Sequence, residues 1–226
     1  MTGEFKKQYK PFYSVQPFGT VPWELLDQLI KSYCPLPTPL ILDSTVNKGR
    51  IWGSSNIKYI GMDIDPFVRP NLVGSNTQMP FPNDTFDVIV YDPPHTGEQG
   101  NSTVGFAEKY GVGMSVNKQG NLFDTYPPFI SEAARALKSD GLLLVKLADC
   151  THRATFHFAT AQFWLDARDK FELQGLHILP RTNVIIDTKW KHAYHPRQNH
   201  CTWMVFTNST GRIARGRRRV RTVEAC

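Results

Sequence analysis

Three apolar runs of this chain end in aspartate: "LILD" at Asp43, "YIGMD" at Asp63 and "FDVIVYD" at Asp92. Asp92 is followed by Pro93, Pro94 and His95, a combination that a plain turn does not require. A carboxylate there accepts N–H or O–H donors. The two prolines stiffen the backbone and remove N–H groups that would need partners. An imidazole can stack on a ring and titrates near neutral pH. A lone aspartate after a strand is ordinarily a turn former or helix cap. Three in succession, with Gly49 in the turn after the first, point to one shared ligand-binding edge.

The elements that must position these acids follow from periodicity. "VPWELLDQLIKSY" places Val21, Leu25, Leu26, Leu29 and Ile30 at helical spacing, with Pro22 and Glu24 near its start and Thr20 just before it. The three aspartate-terminated runs predict strands. A helix is predicted over about 126–138, closed by Gly141, and "LLLVKLA" predicts a strand covered on both faces. "ATFHFATAQFWLDARDKF" predicts a helix, and "LQGLHILPRTNVII" and "CTWMVFT" predict two final strands joined by a hairpin-like loop. Alternating strands and helices indicate an α/β open sheet, whose ligands sit at the carboxyl ends of the strands.

Bulk properties bound the partners. The chain has 226 residues and a net charge of +6, of which five charges lie in the last fifteen residues: six arginines against Glu224. We therefore expect a globular body over residues 1–210 and a basic tail over 211–226. Arginine clusters neutralise phosphates and release counterions, so Arg217, Arg218 and Arg219 nominate nucleic acid as partner; a solvated tail is the plain alternative. Lys189, Lys191, His192 and Arg197 form a second basic patch interleaved with Trp190 and Tyr194, which suits phosphates and stacked bases or a solvated hairpin. Residues 96–125 carry six glycines with Phe106, Tyr110 and Phe123 and are expected to be a substrate-side loop, or simply disordered. No apolar run is long enough to cross a bilayer, and the first residues lack the apolar core of a signal peptide, so no membrane role and a cytoplasmic location are expected. Cys34, Cys150, Cys201 and Cys226 are too widely spaced for a disulfide framework. The group His192, His195, His200 and Cys201 fits no familiar zinc module, so no metal is expected.

Over residues 12–208, "ILDSTVNKGRIW", "YIGMDIDP", "MPFPNDTFDVIVYDPPH" and "FISEAARALKSDGLLLVK" resemble the successive motifs of class I S-adenosylmethionine (SAM) methyltransferases. Asp92–His95 is similar to the D-P-P-Y signature of amino-methyltransferases acting on adenine N6 or cytosine N4 of DNA. "QPFGTVPWELLDQLI" resembles the cofactor-side motif that precedes the glycine turn when the SAM half comes first, and "KHAYHPRQNHCTWMVF" resembles the last hairpin of small DNA methylases.

The resemblance implies a Rossmann-like class I methyltransferase fold, mostly parallel with a C-terminal antiparallel hairpin. It implies SAM as cofactor, contacted by Phe18, Thr20, Asp43, Thr45, Gly49, Asp63, Ile64 and Ser75. It implies catalysis by Asp92, Pro93, Pro94 and His95, with the Asp92 carboxylate and Pro93 carbonyl accepting the two N–H groups of an exocyclic amine. An acid ending the second strand suits both ribose hydroxyls, which favours Asp63; Asp65, before a proline, suits the turn. The chain departs from the pattern in three places. Its first turn, Asp43 to Gly49, keeps one glycine, with Asn47 tolerant of positive φ. Ser75 stands where an acid is common, and His95 stands for tyrosine. The implied function is methyl transfer to a nucleobase amine in DNA, adenine N6 before cytosine N4. The alternatives are an RNA base amino-methyltransferase and a nucleic-acid-binding protein that retains the fold without turnover.

Overall fold

The computed structural model describes residues 13–94, 122–152, 155–182 and 198–208. His95, residues 96–121 of the expected loop, Lys189, Lys191, His192, Arg197 and the arginine tail lie outside the described residues.

Helix α1, Pro22–Tyr33, begins with proline at its first position, where a missing N–H costs nothing, and buries Leu25, Leu26, Leu29 and Ile30. It stops at Cys34, whose extended backbone leads into Pro35, and the Cys34 amide still reaches the Ile30 carbonyl at 2.9 Å. The strands follow as β1 (Ile41–Asp43), β2 (Ile60–Asp63), β3 (Leu72–Val73), β4 (Phe86–Tyr91), β5 (Leu137–Leu147), β6 (Cys150–His152), β7 (Thr155–His157), β8 (Phe171–Pro180) and β9 (His200–Asn208), with α2 (Tyr126–Ala136) before β5 and α3 (Ala159–Ala167) before β8. Seven strands form one sheet in the order β3-β2-β1-β4-β5-β9-β8, and β6 and β7 pair separately. β1 to β5 are mutually parallel; β9 runs antiparallel to both β5 and β8. The expected fold class, a Rossmann-like methyltransferase sheet with a C-terminal antiparallel pair, is the one observed.

Alternation along the central strands explains their near-continuous apolar sequences. Val88, Val90, Leu142 and Leu144 pack on one face against α1, with Trp203 and Val205 of β9. Ile89, Tyr91, Leu143 and Val145 pack on the other, against Phe129 and Ile130 of α2 and Phe163 of α3. Both faces are thus buried, as parallel sheets require.

Two predicted boundaries shift. The stretch read as one helix from Ala154 opens with β7, the second strand of the β6–β7 pair, and only then enters α3. The Asp149 carboxylate accepts the Thr160 amide at 2.9 Å and the Thr160 hydroxyl at 3.0 Å, which pins the helix start after "TFHF". β5 begins earlier than expected, at Leu137, directly where α2 ends. There the side-chain amide of buried Asn208 donates to the carbonyls of Ala134, Leu137 and Lys138 at 3.0–3.3 Å, satisfying the end of α2 from the last residue of β9.

Candidate active site

The turn after β1 is built around Asp43. Its side chain is fully buried: Oδ2 accepts the Trp52 indole N–H at 2.6 Å and Oδ1 accepts the Thr45 amide at 3.1 Å. Burial pushes the Asp43 carboxyl up to about 7, against the pull of those two donors, and the charges of Asp92 and Asp63 add to the rise. Its carboxylate therefore acts on the turn rather than at a solvent-facing surface. Tyr59 stacks on Trp52 with ring centroids 4.0 Å apart. The turn crosses to its neighbours through backbone groups: Ser44 N–H to Val90 O at 2.9 Å, Val46 N–H to Met62 O at 3.0 Å, and Asn47 N–H to Asp63 Oδ2 at 2.8 Å. Asn47 has φ +48° and Gly49 φ +63°, so the single retained glycine and the asparagine are the two left-handed residues of this turn.

Asp63, half-buried at the end of β2, accepts the Asp65 amide at 3.0 Å in addition to that of Asn47. Burial raises its pKa, and the two amides work against that rise. Asp65 caps the short 3-10 turn Pro66–Val68 through Phe67 N–H at 2.9 Å, the turn role expected for it. Ile64 is exposed next to Asp63. Ser75 follows β3, and its hydroxyl lies 2.8 Å from the Thr77 hydroxyl, closing a tight turn. The following Met79–Phe81 stretch is clamped by α2: Glu132 accepts the Met79 amide at 2.7 Å, and Arg135 donates to the carbonyls of Met79 and Phe81.

The approach to α1 reaches the same edge from the far side of the sheet. Val15 bridges to Ile178 of β8, with Gln16 N–H to Ile178 O at 2.9 Å and Ile178 N–H to Ser14 O at 2.6 Å. Phe18 is then 74% exposed and Thr20 half-buried, and α1 starts against the β1 turn. Trp23 packs so closely on Gly53 (φ +41°) that a Cβ there would lie 2.1 Å from its ring.

Asp92 stands beside this turn. Its amide donates to the Thr45 hydroxyl at 2.8 Å, so Thr45 links the β1 turn to the end of β4. Its carboxylate accepts the Lys146 ammonium at 2.8 Å, with only 13% of the lysine side chain and 18% of the aspartate side chain exposed. The register explains the meeting: Tyr91 pairs with Val145, so the next residues, Asp92 and Lys146, fall opposite each other. Burial works against the Lys146 charge, but the Asp92 carboxylate, together with Cys201, holds the ammonium pKa above the ordinary lysine value. Pro93 is buried and Pro94 exposed.

The fold thus brings Asp43, Thr45, Gly49, Asp63 and Asp92 to one edge of the sheet. Lys146 and Trp52 were missed by sequence reasoning. The signal for Lys146 was present: a single cation inside the apolar run "LLLVKLA" needs a carboxylate partner once buried. Trp52 carried no such signal beyond its position after the turn. Among the described residues no group of three or more histidine, cysteine or acidic side chains could hold a metal, and no helix is long and apolar enough to cross a membrane.

No protein-family model matches the sequence, and neither does any curated protein. Solved structures do share the fold. A chain in the complex of the Haloferax volcanii Trm112 methyltransferase activator with a putative methyltransferase is 11% identical, with 82% of this chain and 89% of that one aligned at a TM-score of 0.52. The PH0226 protein of Pyrococcus horikoshii is 12% identical, covering 82% and 88%, at 0.50. TrmN of Thermus thermophilus is 15% identical over 81% of this chain, at 0.50, and the present chain spans 48% of its length. At these identities the likeness is one of fold, and that fold is the class I methyltransferase architecture.

Proposed function

We propose that the protein is a SAM-dependent amino-methyltransferase acting on an exocyclic amine of a nucleobase in DNA, adenine N6 in preference to cytosine N4. The observation that carries this reading is Asp92. It is an ion-paired carboxylate at the end of β4, followed by two prolines and tied by its amide to the turn after β1.

The residues at the edge fit SAM. Asp63 presents a half-buried carboxylate, oriented by two amides, that suits a ribose diol. Exposed Ile64 beside it offers an apolar surface for a purine ring, and Ser75 a hydroxyl. Thr45 to Gly49 offer backbone groups where the left-handed residues allow close approach. Asp43 holds that turn in shape, and Phe18 and Thr20 line the approach from α1. When bound, SAM supplies an electrophilic methyl group on a sulfonium.

The protein's own task is to orient the acceptor nitrogen. An aromatic amine has its lone pair delocalised into the ring and is a poor nucleophile. The Asp92 carboxylate and Pro93 carbonyl each accept one N–H, which draws the nitrogen toward tetrahedral geometry and frees the lone pair. His95 stacks on the base, which must leave a duplex to reach this edge. Lys189, Lys191, His192, Arg197, Arg217, Arg218 and Arg219 supply cations for the phosphates. Beyond positioning and fixed electrostatics, the chain receives the proton that the nitrogen sheds once its lone pair has formed the N–C bond and the sulfonium C–S bond has broken to leave a neutral thioether. The Asp92 carboxylate, already accepting that N–H, passes it to solvent.

The test is transfer of tritiated methyl from SAM to separate DNA, RNA and protein pools, followed by nucleoside analysis. N6-methyladenine in DNA is the expected product. Label confined to RNA overturns the choice of DNA, label confined to protein overturns the nucleobase, and no SAM binding by calorimetry overturns the enzyme.

A further inference from the structure

We propose that Lys146 is a positioning residue for methyl transfer: it orients the Asp92 carboxylate and keeps it ionised as a hydrogen-bond acceptor for the substrate amine. The proposal rests on the amino-methyltransferase reading of Asp92 and adds to it a residue outside the four recognised motif positions of the substrate side.

The argument begins with register. Val88, Val90 and Asp92 alternate onto the α1 face of β4; Leu142, Leu144 and Lys146 do so on β5. The buried positions of that face are apolar up to Asp92, one residue past β4, and Lys146, near the end of β5, where an acid and a base appear opposite each other. The pair is 2.8 Å long and both side chains are largely enclosed. A mostly buried cation is costly without a partner and is retained where its charge is needed. The alternative use of a lysine here, snorkelling its ammonium to solvent, is not what the geometry shows, since the lysine is less exposed than its partner.

The consequence for chemistry follows from charge. A partly buried carboxylate standing alone drifts toward protonation, and a protonated carboxyl is a donor on one oxygen. It then cannot draw down an amine N–H there. The Lys146 ammonium reverses that drift and fixes the rotation of the carboxylate, because its bond engages Oδ2 from the β5 side. It also balances the charge of Asp92 itself, so the acceptor best received beside that carboxylate is a nitrogen uncharged at neutral pH, such as an aromatic amine, rather than an alkylammonium.

Other ionisable groups face the pair. From β9 the Cys201 thiol, pushed up by burial, and from the end of β8 the Arg181 guanidinium face Lys146; from β1 Asp43 faces Asp92. Of these Asp43, near 7, titrates in the same range as an enzyme's acid limb, so the two aspartates must be read separately.

The experiment combines two readouts on the full chain and on Lys146→Met, Lys146→Gln and Lys146→Arg. The first is the carboxyl 13C shift of Asp92 across pH without SAM or substrate, assigned by loss of its signal in Asp92→Asn and separated from Asp43 by Asp43→Asn. The second is the pH profile of kcat with labelled SAM and DNA. We expect the Asp92 midpoint to rise by at least about one pH unit in Lys146→Met and Lys146→Gln. The acid limb of kcat should move with it, kcat should fall more than the KM for SAM changes, and Lys146→Arg should restore both. An Asp92 midpoint unmoved in the folded variants overturns the proposal, as does a wild-type kcat profile in Lys146→Met. If the unaltered protein transfers no methyl group, the amino-methyltransferase reading fails by itself, and the 13C midpoint still decides what Lys146 does to Asp92.

Discussion

Asp43 and Asp92 end adjacent parallel strands, and the fold treats them in opposite ways. Asp43 is sealed from solvent and surrounded by neutral donors, so burial carries its carboxyl up to about 7. Asp92, two residues past the partner of Asp43 on β4, remains partly open and is given an ammonium at 2.8 Å. One acid shapes a turn and gives up charge to do so. The other stands in an ion pair and stays partly open to solvent. An aspartate at a strand end is therefore not a role; the donors around it assign the role.

The contrast can be broken at several points. The largest effect is expected at Asp92→Asn, which keeps the shape and removes the charge. kcat for methyl transfer should fall by about 10³-fold, while SAM affinity measured by calorimetry stays near that of the unaltered protein. Retained turnover would make Asp92 a second Asp43.

Next comes the pH dependence of stability at Asp43. Its native pKa is raised from 3.8 to about 7, so its contribution is present below the lower value and is lost as pH rises through the upper one. Across that window the stability of the unaltered protein, measured against Asp43→Asn by urea unfolding, should decline by an amount on the order of a few kcal/mol. A flat difference would mean that burial does not raise the Asp43 carboxyl.

Gly53→Ala attacks the packing that holds the Asp43 turn against α1. The added carbon meets the Trp23 ring at a backbone φ of +41°, and a loss of about 1–3 kcal/mol in thermal or urea unfolding is expected, with Trp fluorescence shifted. The smallest effect is expected at Asp63→Asn, which keeps an acceptor for one of two amides. SAM affinity should weaken by roughly tenfold, equivalent to about one lost hydrogen bond to a charged group, and kcat at saturating SAM should hold. A collapse of kcat instead would place Asp63 with the substrate-side acids.

Much of this site was legible beforehand, because chain direction does much of the positioning. Parallel strands put their last residues on one edge, so three apolar runs ending in aspartate already implied that Asp43, Asp63 and Asp92 would gather there. Asp65 as a turn former and Asn47 at positive φ followed from local rules that tertiary packing did not override. Lys146 and Trp52 were not legible in the same way. Their roles depend on register across strands and on a loop folding back, and neither is a local property of sequence. The helix read from Ala154 failed for a related reason: a carboxylate from the end of β5 decides where α3 starts. Apolar periodicity alone does not contain that bond.

The placement of β9 bears on how the chain is made. It is the last of the seven strands to leave the ribosome, yet it lies between β5 and β8 and closes the end of α2 through Asn208. Until it emerges, β5 and β8 each present an open edge, largely apolar on β5, and the sheet lacks the strand that joins them. Such edges invite pairing with other nascent chains. Final closure of the sheet is therefore a late and long-range event, and yield on expression should fall more steeply for substitutions in residues 200–208 than for equally buried ones in β1.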